Sequence, residues 1–346
     1  MRVLCVPSTR HGYVMRLNAA LRAHGVEVNE APMPYLRWPR NYIRFWVKTL
    51  GDNDVCHLHW NVFDSLTMAK LFFRKRIPKV WTVHNITPHD PVFKDDLSVT
   101  HLYLDRTSVA VWHSQRSISD AKRAFAAKGL PENWQADDVV IPCMNFNGAF
   151  EDTISEKEAR TRLGIGEEEF VVGHYAPTHP YKGTEDFLKL LSMDTARSVR
   201  FCIFGECREP ELGAAIREAA NHRTDLISHL GFISDADLQY WFKACNVVVQ
   251  PYRDITTSGS IYFPIAFKKP VIAPPLGNIP DVIQNRITGW LAQSPEEIWS
   301  CIQEGMHDPQ ATREMGVRAY EFVEKTANLD KIASQYIESY ERAFDK

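Results

Sequence analysis

The stretch that decides the fold is residues 247–280, VVVQPYRDITTSGSIYFPIAFKKPVIAPPLGNIP. It opens with the β-branched run Val247–Val249, which is typical of a buried strand, and continues into a polar loop. The small residues that follow predict a helix beginning near Ser258 or Gly259. The first N–H groups of a helix have no partner within it, and small side chains let an anion approach them. The stretch therefore predicts a diphosphate site at a helix start, with an ordinary capped helix as the alternative.

Strand-like and helix-like segments alternate in the same way along the rest of the chain. Strands are predicted at Val3–Val6, Val55–His59, Lys79–His84, Val109–His113, Val139–Ile141, Phe170–His174, Arg200–Gly205, Leu226–Leu230, Asn246–Val249, Pro270–Ala273 and Trp290–Leu291. Helices are predicted at Val14–His24, Ser114–Ala127, Thr184–Leu191, Ala236–Ala244 and Pro295–Met306, and a long charged helix at Pro309–Asp345. This alternation, repeated twice, predicts an α/β protein of two doubly wound, Rossmann-like domains with parallel sheets.

The polar stretch from Asn145 to Glu168 separates the two sets of strands. We therefore predict a first domain over residues 1–150, a second over 151–325 and a C-terminal helix over 326–346, for which packing back on the first domain is one arrangement. Sheets of this kind bind ligands outside the carboxyl ends of their strands. Two such domains facing each other across a cleft would place the chemistry in that cleft.

Composition and charge restrict the class of protein. The chain is 45% hydrophobic and 24% charged, and no apolar run approaches the roughly 20 residues of a membrane span, so a globular cytoplasmic protein is expected. Its seven cysteines include no C-x-x-C pair and are interpreted as buried free thiols. Residues 1–150 carry 19 Lys and Arg against 13 Asp and Glu, and the rest carries 21 against 30, so the halves are expected to meet different partners. The dinucleotide, P-loop and zincin motifs are absent from the sequence.

Four segments follow one another along the chain: TVHN at Thr82–Asn85, PYKG at Pro180–Gly183, LGFISDADL at Leu230–Leu238 and the stretch 247–280. Together, and in this order, they resemble the GT-B glycosyltransferases, particularly the family 4-like enzymes that assemble bacterial surface polysaccharides. The resemblance implies transfer of a hexosyl or uronosyl unit from a nucleotide-diphosphate sugar to a saccharide acceptor in exopolysaccharide assembly. It is compatible with an acceptor linked to polyprenyl diphosphate.

The resemblance also implies a donor site in the rear domain. Its candidate residues are Lys182, His179, Asp254, Thr257, Ser258, Gly259 and Ser260. The family places a lysine and an arginine on the donor diphosphate, and these positions are Lys182 and His179 here. An ammonium beside a developing pyrophosphate charge supplies the electrostatic stabilisation that otherwise comes from a metal ion. A solvated turn lysine is the alternative for Lys182.

The sequence departs from the family at two positions. Many members carry two glutamates eight residues apart, on the donor sugar and the ribose, where this chain has Ile255 and Phe263. Neither side chain forms hydrogen bonds, so Asp254 is the remaining carboxylate for sugar or ribose recognition.

Histidines dominate the predicted strand ends of the front half. The resemblance places His84 on the donor sugar, although a strand-end histidine satisfied by the backbone is the alternative. If the reaction inverts the anomeric centre, a general base is needed, and His89 and Asp90 on the same loop are the candidates. On the acceptor side the candidates are Arg10, His11 and Gly12 of the first strand-to-helix loop, together with His59.

Residues 35–50 combine basic and aromatic side chains. At about 100° per residue the four bases Arg37, Arg40, Arg44 and Lys48 fall within about 80° of one another. Basic residues beside aromatic ones suit a helix lying among anionic headgroups, so we expect peripheral membrane contact through the Arg37–Lys48 helix. A helix that packs its aromatics on the sheet is the alternative. The net charge of −3 and the lack of a nucleic-acid motif disfavour nucleic acid as a partner.

No metal or cofactor is expected. The two D-x-D matches, Asp52 with Asp54 and Asp235 with Asp237, precede a predicted strand and open a predicted helix, away from the strand ends where a metal–diphosphate site would lie. Two other functions remain open on the same architecture: a nucleotide-sugar 2-epimerase, and a non-catalytic nucleotide-sugar-binding protein.

Overall fold

The structure is a computed structural model that describes residues 1–346 except residues 10, 36–37, 64, 88–95 and 176–178. The chain divides into two compact units. The first comprises Met1–Met144 together with Ala327–Lys346, and the second comprises Asn145–Thr326. Each unit contains one six-stranded parallel sheet, which confirms the predicted pair of doubly wound α/β folds.

The first unit begins with six strands and five helices in the described part of residues 1–144. The strands are β1 (Arg2–Val6), β2 (Glu27–Glu30), β3 (Val55–His59), β4 (Lys79–Val83), β5 (Val109–Trp112) and β6 (Asp137–Val140). The helices are α1 (Gly12–Ala23), α2 (Pro39–Leu50), α3 (Leu66–Phe73), α4 (Asp96–Leu104) and α5 (Gln115–Ala127). The strand order is β2-β1-β3-β4-β5-β6. Nearly every residue of β1, β3, β4 and β5 is buried, because helices cover both of their faces.

The second unit repeats this plan. Its strands are β7 (Phe170–Tyr175), β8 (Val199–Phe204), β9 (Leu226–His229), β10 (Val247–Val249), β11 (Val271–Ala273) and β12 (Gly289–Leu291), in the order β12-β11-β10-β7-β8-β9. Its helices are α6 (Glu156–Leu163), α7 (Thr184–Met193), α8 (Pro210–His222), α9 (Leu238–Ala244), α10 (Tyr262–Ala266), α11 (Ile279–Val282), α12 (Pro295–His307) and α13 (Pro309–Ala327). A short 3-10 helix at Pro180–Lys182 precedes α7.

The strand order of each sheet reverses at one place. In the first sheet the reversal lies between β1 and β3, and in the second between β7 and β10. At such a switch point the connections leave towards opposite faces, which opens a crevice beyond the carboxyl ends of the two strands. The topology thus marks one ligand-binding edge in each unit.

The last helix, α14 (Leu329–Phe344), belongs to the first unit. The sequence pattern predicted a single helix from Pro309 to Asp345, and this was wrong: the helix is interrupted at Asn328. The Asn328 side chain accepts hydrogen bonds from the N–H groups of Asp330 and Lys331, so it caps a new helix. Helix α14 packs against α1 and against strands β3, β4 and β5. No helix in the described part of the chain is long and apolar enough to cross a membrane.

Candidate functional site

In the second unit, the segments that follow β7 and β10 meet at the switch point. Residue Gly183 ends the 3-10 helix with φ +71°, and a Cβ there would lie 1.7 Å from the carbonyl oxygen of Pro251. Only glycine fits this contact. Residue His174 joins the same two segments, because its Nδ1 lies 2.9 Å from the oxygen of Val249 and its Nε2 lies 2.9 Å from Oγ1 of Thr184. These contacts fix the position of Lys182, which immediately precedes Gly183.

The Lys182 side chain is only 7% exposed. Its Nζ donates to Oγ of Ser260 at 3.0 Å and lies 5.0 Å from the ring centroid of Tyr252. The acidic residues nearest in sequence pair elsewhere, since Glu185 and Asp186 both contact Arg253. Among the described residues, Lys182 has no carboxylate partner. A buried ammonium held only by a hydroxyl and aromatic faces attracts an anion, because its charge is not compensated within the protein.

Hydroxyl groups surround this ammonium. The Tyr252 hydroxyl lies 2.9 Å from Oγ of Ser260 and accepts a hydrogen bond of 2.8 Å from Oγ of Ser258. Both Ser258 and Tyr252 are buried. Three hydroxyls and one ammonium therefore form a connected group of donors at the carboxyl edge of β10.

The loop carrying these serines is held by the turn after β11. Residue Gly277 has φ +52°, and a Cβ there would lie 2.4 Å from the carbonyl oxygens of Ile255 and Thr256. The next residue, Asn278, donates its N–H to the oxygen of Thr256 and accepts the N–H of Ser258 through Oδ1 at 2.8 Å. Nothing lies within 4 Å of a Cβ built on Gly259, so open space adjoins the loop at that residue.

In the first unit, histidines collect at the carboxyl ends of β3 and β4, next to the other switch point. The Nδ1 of His59 lies 3.2 Å from Nε2 of His84. The ring of His84 stacks on Trp60 at a centroid distance of 4.7 Å and meets the edge of Tyr13 at 5.1 Å. Residue His113, at the end of β5, lies 5.2 Å from His84, centroid to centroid.

Burial makes these imidazoles neutral. The pKa of His84 lies well below the usual 6.5, mainly because of burial and secondarily because of His113 and His59. Burial also places the pKa of His59 well below 6.5 and lowers that of His113 to about 4. The site can therefore offer hydrogen bonds from neutral rings at physiological pH, but it holds no imidazolium charge.

Helix α14 supplies the hydroxyl groups behind this cluster. The Tyr340 hydroxyl lies 2.8 Å from Nδ1 of His57, whose Nε2 lies 2.8 Å from Oγ1 of Thr82. The Tyr336 hydroxyl lies 3.0 Å from the same Thr82 oxygen and 2.9 Å from the hydroxyl of Tyr13. Because Tyr13 also contacts His84, α14 supports the cluster from residues about 250 positions away in sequence.

The solved structures agree on one fold, and the family model and the curated relative both name glycosyl transfer. Residues 169–308 match the family described as "Glycosyl transferases group 1". A GDP-mannose:glycolipid 4-beta-D-mannosyltransferase from Xanthomonas campestris pv. campestris is 23% identical, over 75% of this chain and 72% of the relative. Among solved structures, sucrose-phosphate synthase from Thermosynechococcus elongatus superposes with a TM-score of 0.79 at 16% identity, covering 99% of both chains. HepE from Anabaena, in complex with UDP and glucose, gives 0.75 at 18% identity and covers 99% of both chains.

The chain has the GT-B fold, and its residues 169–308 match a glycosyltransferase family. The resemblance drawn from the four sequence segments is thereby confirmed at the level of fold and reaction class, and the predicted site residues can be located within it.

One prediction about the loop after β10 is wrong. The helix after β10 begins at Tyr262, not at Ser258 or Gly259, and the N–H of Ser258 is bound to Asn278. The physical reason is Pro264, which lacks an N–H and is tolerated only in the first turn of a helix. A helix starting at Ser258 would have placed this proline in its interior. The loop after β10 therefore offers its hydroxyls and the open space beside Gly259, and it lacks a helix start at Ser258.

Other predicted donor residues lie at the edge of the cluster or away from it. The His179 ring stacks with Tyr181 at 5.7 Å, and its Nδ1 lies 3.8 Å from a carboxylate oxygen of Glu209. The Asp254 side chain is exposed. Oγ1 of Thr257 is buried and has no hydrogen-bond partner among the described residues.

The two positions without glutamate serve apolar packing. Residue Ile255 is 7% exposed. The Phe263 ring lies 4.8 Å from that of Phe146 and 4.9 Å from that of Phe150, centroid to centroid. Both positions are therefore apolar, and neither offers the carboxylate that the resemblance leads one to expect there.

Sequence reasoning missed Tyr252 in the loop after β10, Asn278 in the turn after β11, and Tyr336 and Tyr340 on α14. The Gly277–Asn278 pair after the KPVIA strand is a turn signal that would have pointed to Asn278. No local signal marks the tyrosines of α14, because their partners lie in β3, β4 and α1.

The structure describes only some of the residues predicted to lie on the acceptor side. Residue His11 is exposed, with its ring 5.1 Å from that of Trp60, and Gly12 is the exposed first residue of α1. His59 is fully buried. Residues Arg10, His89 and Asp90 lie outside the described residues, as does Arg37 of the predicted basic helix.

Three of the four aspartates in the two D-x-D matches have partners within the protein. The carboxylate of Asp52 pairs with Arg2, and that of Asp54 accepts the N–H of Arg2. The carboxylate of Asp237 accepts from Ser234 at 2.7 Å. In the part of the chain that the structure describes, no group of three His, Cys, Asp or Glu residues has the arrangement of a metal site.

Helix α2 is buried on one side only. Residue Phe45 is fully buried, so the sheet-packing alternative holds for this face. On the other side Ile43 and Val47 are each 62% exposed, beside the exposed bases Arg40, Arg44 and Lys48. Helix α2 therefore presents exposed aliphatic and basic side chains together.

Proposed function

We propose that this glycosyltransferase moves a hexosyl or uronosyl unit from a nucleotide-diphosphate sugar to a lipid-linked saccharide acceptor without a metal ion. The observation that carries the proposal is Lys182, a residue only 7% exposed whose ammonium donates to Ser260 and has no carboxylate partner among the described residues. Loss of a nucleoside diphosphate leaves negative charge on its terminal phosphate. The ammonium and the hydroxyls of Ser258, Ser260 and Tyr252 are oriented before that charge develops.

The donor diphosphate is proposed to bind at the switch point of the second unit. The open space beside Gly259 adjoins the serine hydroxyls, so a phosphate there can accept from Lys182 and Ser260. Both GDP-sugars and UDP-sugars are candidate donors, since the Xanthomonas relative is named for GDP-mannose and HepE has been solved with UDP-glucose.

We assign His84 to orientation of the transferred sugar through a hydrogen bond. Nε2 of His59 is buried and has no partner among the described residues. An unpaired N–H is costlier to bury than a bare ring nitrogen, so the proton of neutral His59 belongs on Nδ1, from which it is donated to Nε2 of His84. Neutral His84 then carries its own proton on Nδ1 and presents an N–H to a sugar oxygen. The general base of an inverting reaction, for which His89 and Asp90 are candidates, would be a separate group.

The acceptor is proposed to be a glycolipid, and the protein to act at the cytoplasmic face of an anionic membrane in exopolysaccharide assembly. The Xanthomonas relative is named for a glycolipid acceptor. Residues 36–51 and 65–79, which include α2 and α3, contain no Asp or Glu. Exposed aliphatic side chains accompany their bases on both helices, at Ile43 and Val47 of α2 and at Leu66 and Leu71 of α3. Such a surface binds peripherally to anionic headgroups.

A transfer assay tests the function. Purified protein, a membrane extract as acceptor pool and radiolabelled GDP-mannose, UDP-glucose or UDP-glucuronate should give labelled lipid in the presence of EDTA. Labelled lipid only when a divalent metal is added would contradict the metal-independent step. The same incubation without acceptor should leave the donor sugar unchanged. An epimeric sugar nucleotide would support the 2-epimerase, and binding without turnover in any acceptor pool would support a non-catalytic protein.

A further inference from the structure

We infer that a cavity of about 300 Å³ in the first unit binds the phosphate or diphosphate group of the acceptor. The inference rests on the proposed function and adds a site to it. The residues that carry the argument are Ser8, Glu30, Trp38, Asn41, Arg44 and Lys48, all of which line the cavity. This volume is within the range of small-molecule sites, at its lower end.

The cavity lies at the ligand-binding edge of the first sheet. Residue Glu30 is the last residue of β2, and Ser8 follows β1 by two residues. Strands β1, β2, β3 and β4 are parallel, so their carboxyl ends share one edge. The histidine cluster occupies the ends of β3 and β4 on that edge, and the cavity occupies the ends of β1 and β2.

The charge of the cavity wall is positive. Residues Arg44 and Lys48 lie one helical turn apart on α2, so their side chains share a face. Neither has a salt-bridge partner among the described residues. The carboxylate of Glu30 is compensated separately, since its Oε1 lies 2.8 Å from Nη2 of Arg22 and accepts from Asn18 at 3.3 Å. Two cations therefore remain to meet an anion.

The other wall groups suit a phosphate attached to a larger molecule. The Asn41 amide and the Ser8 hydroxyl can donate to phosphate oxygens, and an arginine guanidinium binds phosphate through two parallel N–H groups. The Trp38 side chain is 46% exposed and offers an apolar face for a sugar ring or an isoprenoid chain. The ligand class is a phosphorylated or diphosphate-linked saccharide or polyprenyl headgroup.

A matched pair of substitutions on α2 separates this site from a general attraction to anionic lipid. Arg44→Glu changes a cavity residue, whereas Arg40→Glu makes the same charge change at an exposed position outside the cavity. The soluble probe is farnesyl diphosphate, whose binding is measured by calorimetric titration in the absence of GDP and UDP. The titration is carried out with the wild-type protein, with both α2 variants and with Lys182→Met. We expect Arg44→Glu to weaken its binding at least about tenfold, Arg40→Glu to change it less than about twofold, and Lys182→Met to leave it unchanged.

Vesicles of phosphatidylcholine and phosphatidylglycerol test the other source of phosphate, which is the headgroup of an anionic membrane lipid. Both variants should lose vesicle co-sedimentation to a similar degree, because a membrane surface responds to total charge. Equal effects of Arg44→Glu and Arg40→Glu on farnesyl diphosphate, or loss of its binding in Lys182→Met, would overturn the inference. If Arg44→Glu does not fold by circular dichroism, Lys48→Gln takes its place. If the protein binds GDP or UDP but its cavity does not bind farnesyl diphosphate, this inference alone is refuted. If the protein binds no nucleotide, the proposed function is refuted.

Discussion

Replacing Lys182 by methionine should separate catalysis from folding. The substitution keeps most of the side-chain volume and removes the ammonium that donates to Ser260 at 3.0 Å. Two unit charges about 4 Å apart at an effective dielectric constant near 20 interact by roughly 4 kcal/mol, and the 7% exposure of Lys182 limits screening by solvent. Loss of one such preorganised group lowers the rate about 100- to 1,000-fold, so we expect kcat/KM of transfer to fall by that factor.

The same substitution, Lys182→Met, should leave the stability of the protein unchanged or raise it. A buried ammonium without a carboxylate partner costs free energy in the unliganded protein, so the Lys182→Met protein should melt at the same temperature as wild type or higher. Transfer is followed with labelled donor, and unfolding by calorimetry. The control is Lys189→Met on α7. The Lys189 side chain is 61% exposed and pairs with Asp186, so this substitution should change neither the rate nor the stability. Unchanged kcat/KM, or a large loss of stability in Lys182→Met, would refute the reasoning and make the lysine structural.

Two further predictions concern the histidine cluster. Burial lowers the pKa of His57 to about 3 and that of His113 to about 4. Between about pH 6.5 and pH 4 the unfolded chain therefore binds protons that the folded chain does not, and as the pH falls each histidine should lower the free energy of unfolding by on the order of 1 kcal/mol per pH unit. Urea titrations that give equal stability at pH 7 and pH 5 would contradict this. The tautomer of His84 is tested by two substitutions of His59. His59→Asn keeps an N–H donor near the Nδ1 position and should retain most activity, while His59→Leu should lower the activity about fivefold. Nitrogen NMR of the wild-type protein should show His84 protonated on Nδ1, and protonation on Nε2 would reject the assignment.

The sequence predicted the sheets well because their central strands have a local signal. Runs such as Val247–Val249 are apolar throughout, because a strand covered on both faces buries every one of its side chains. Strand β2, Glu27–Glu30, was missed because it lies at the sheet edge and buries only Val28. Where a single residue decides a helix boundary, periodicity is insufficient: Pro264 fixes the start of α10, and Asn328 fixes that of α14.

The candidate site was predictable only in part, because much of it is assembled by non-local contacts. Lys182 was found through the PYKG segment, yet its partners Ser260 and Tyr252 come from the segment after β10, which neighbours β7 only in the folded sheet. The tyrosines of α14 reach His57 and Thr82 across more than 250 residues. No spacing rule connects such positions, and the topology alone brings them together.

The most direct test of the account is a crystal structure of the protein with GDP or UDP bound. The terminal phosphate should lie within hydrogen-bonding distance of Nζ of Lys182 and the hydroxyl of Ser260, over Gly259, in crystals grown with EDTA. A nucleotide whose phosphates lie elsewhere, with Lys182 still bonded only to Ser260, would contradict the central claim.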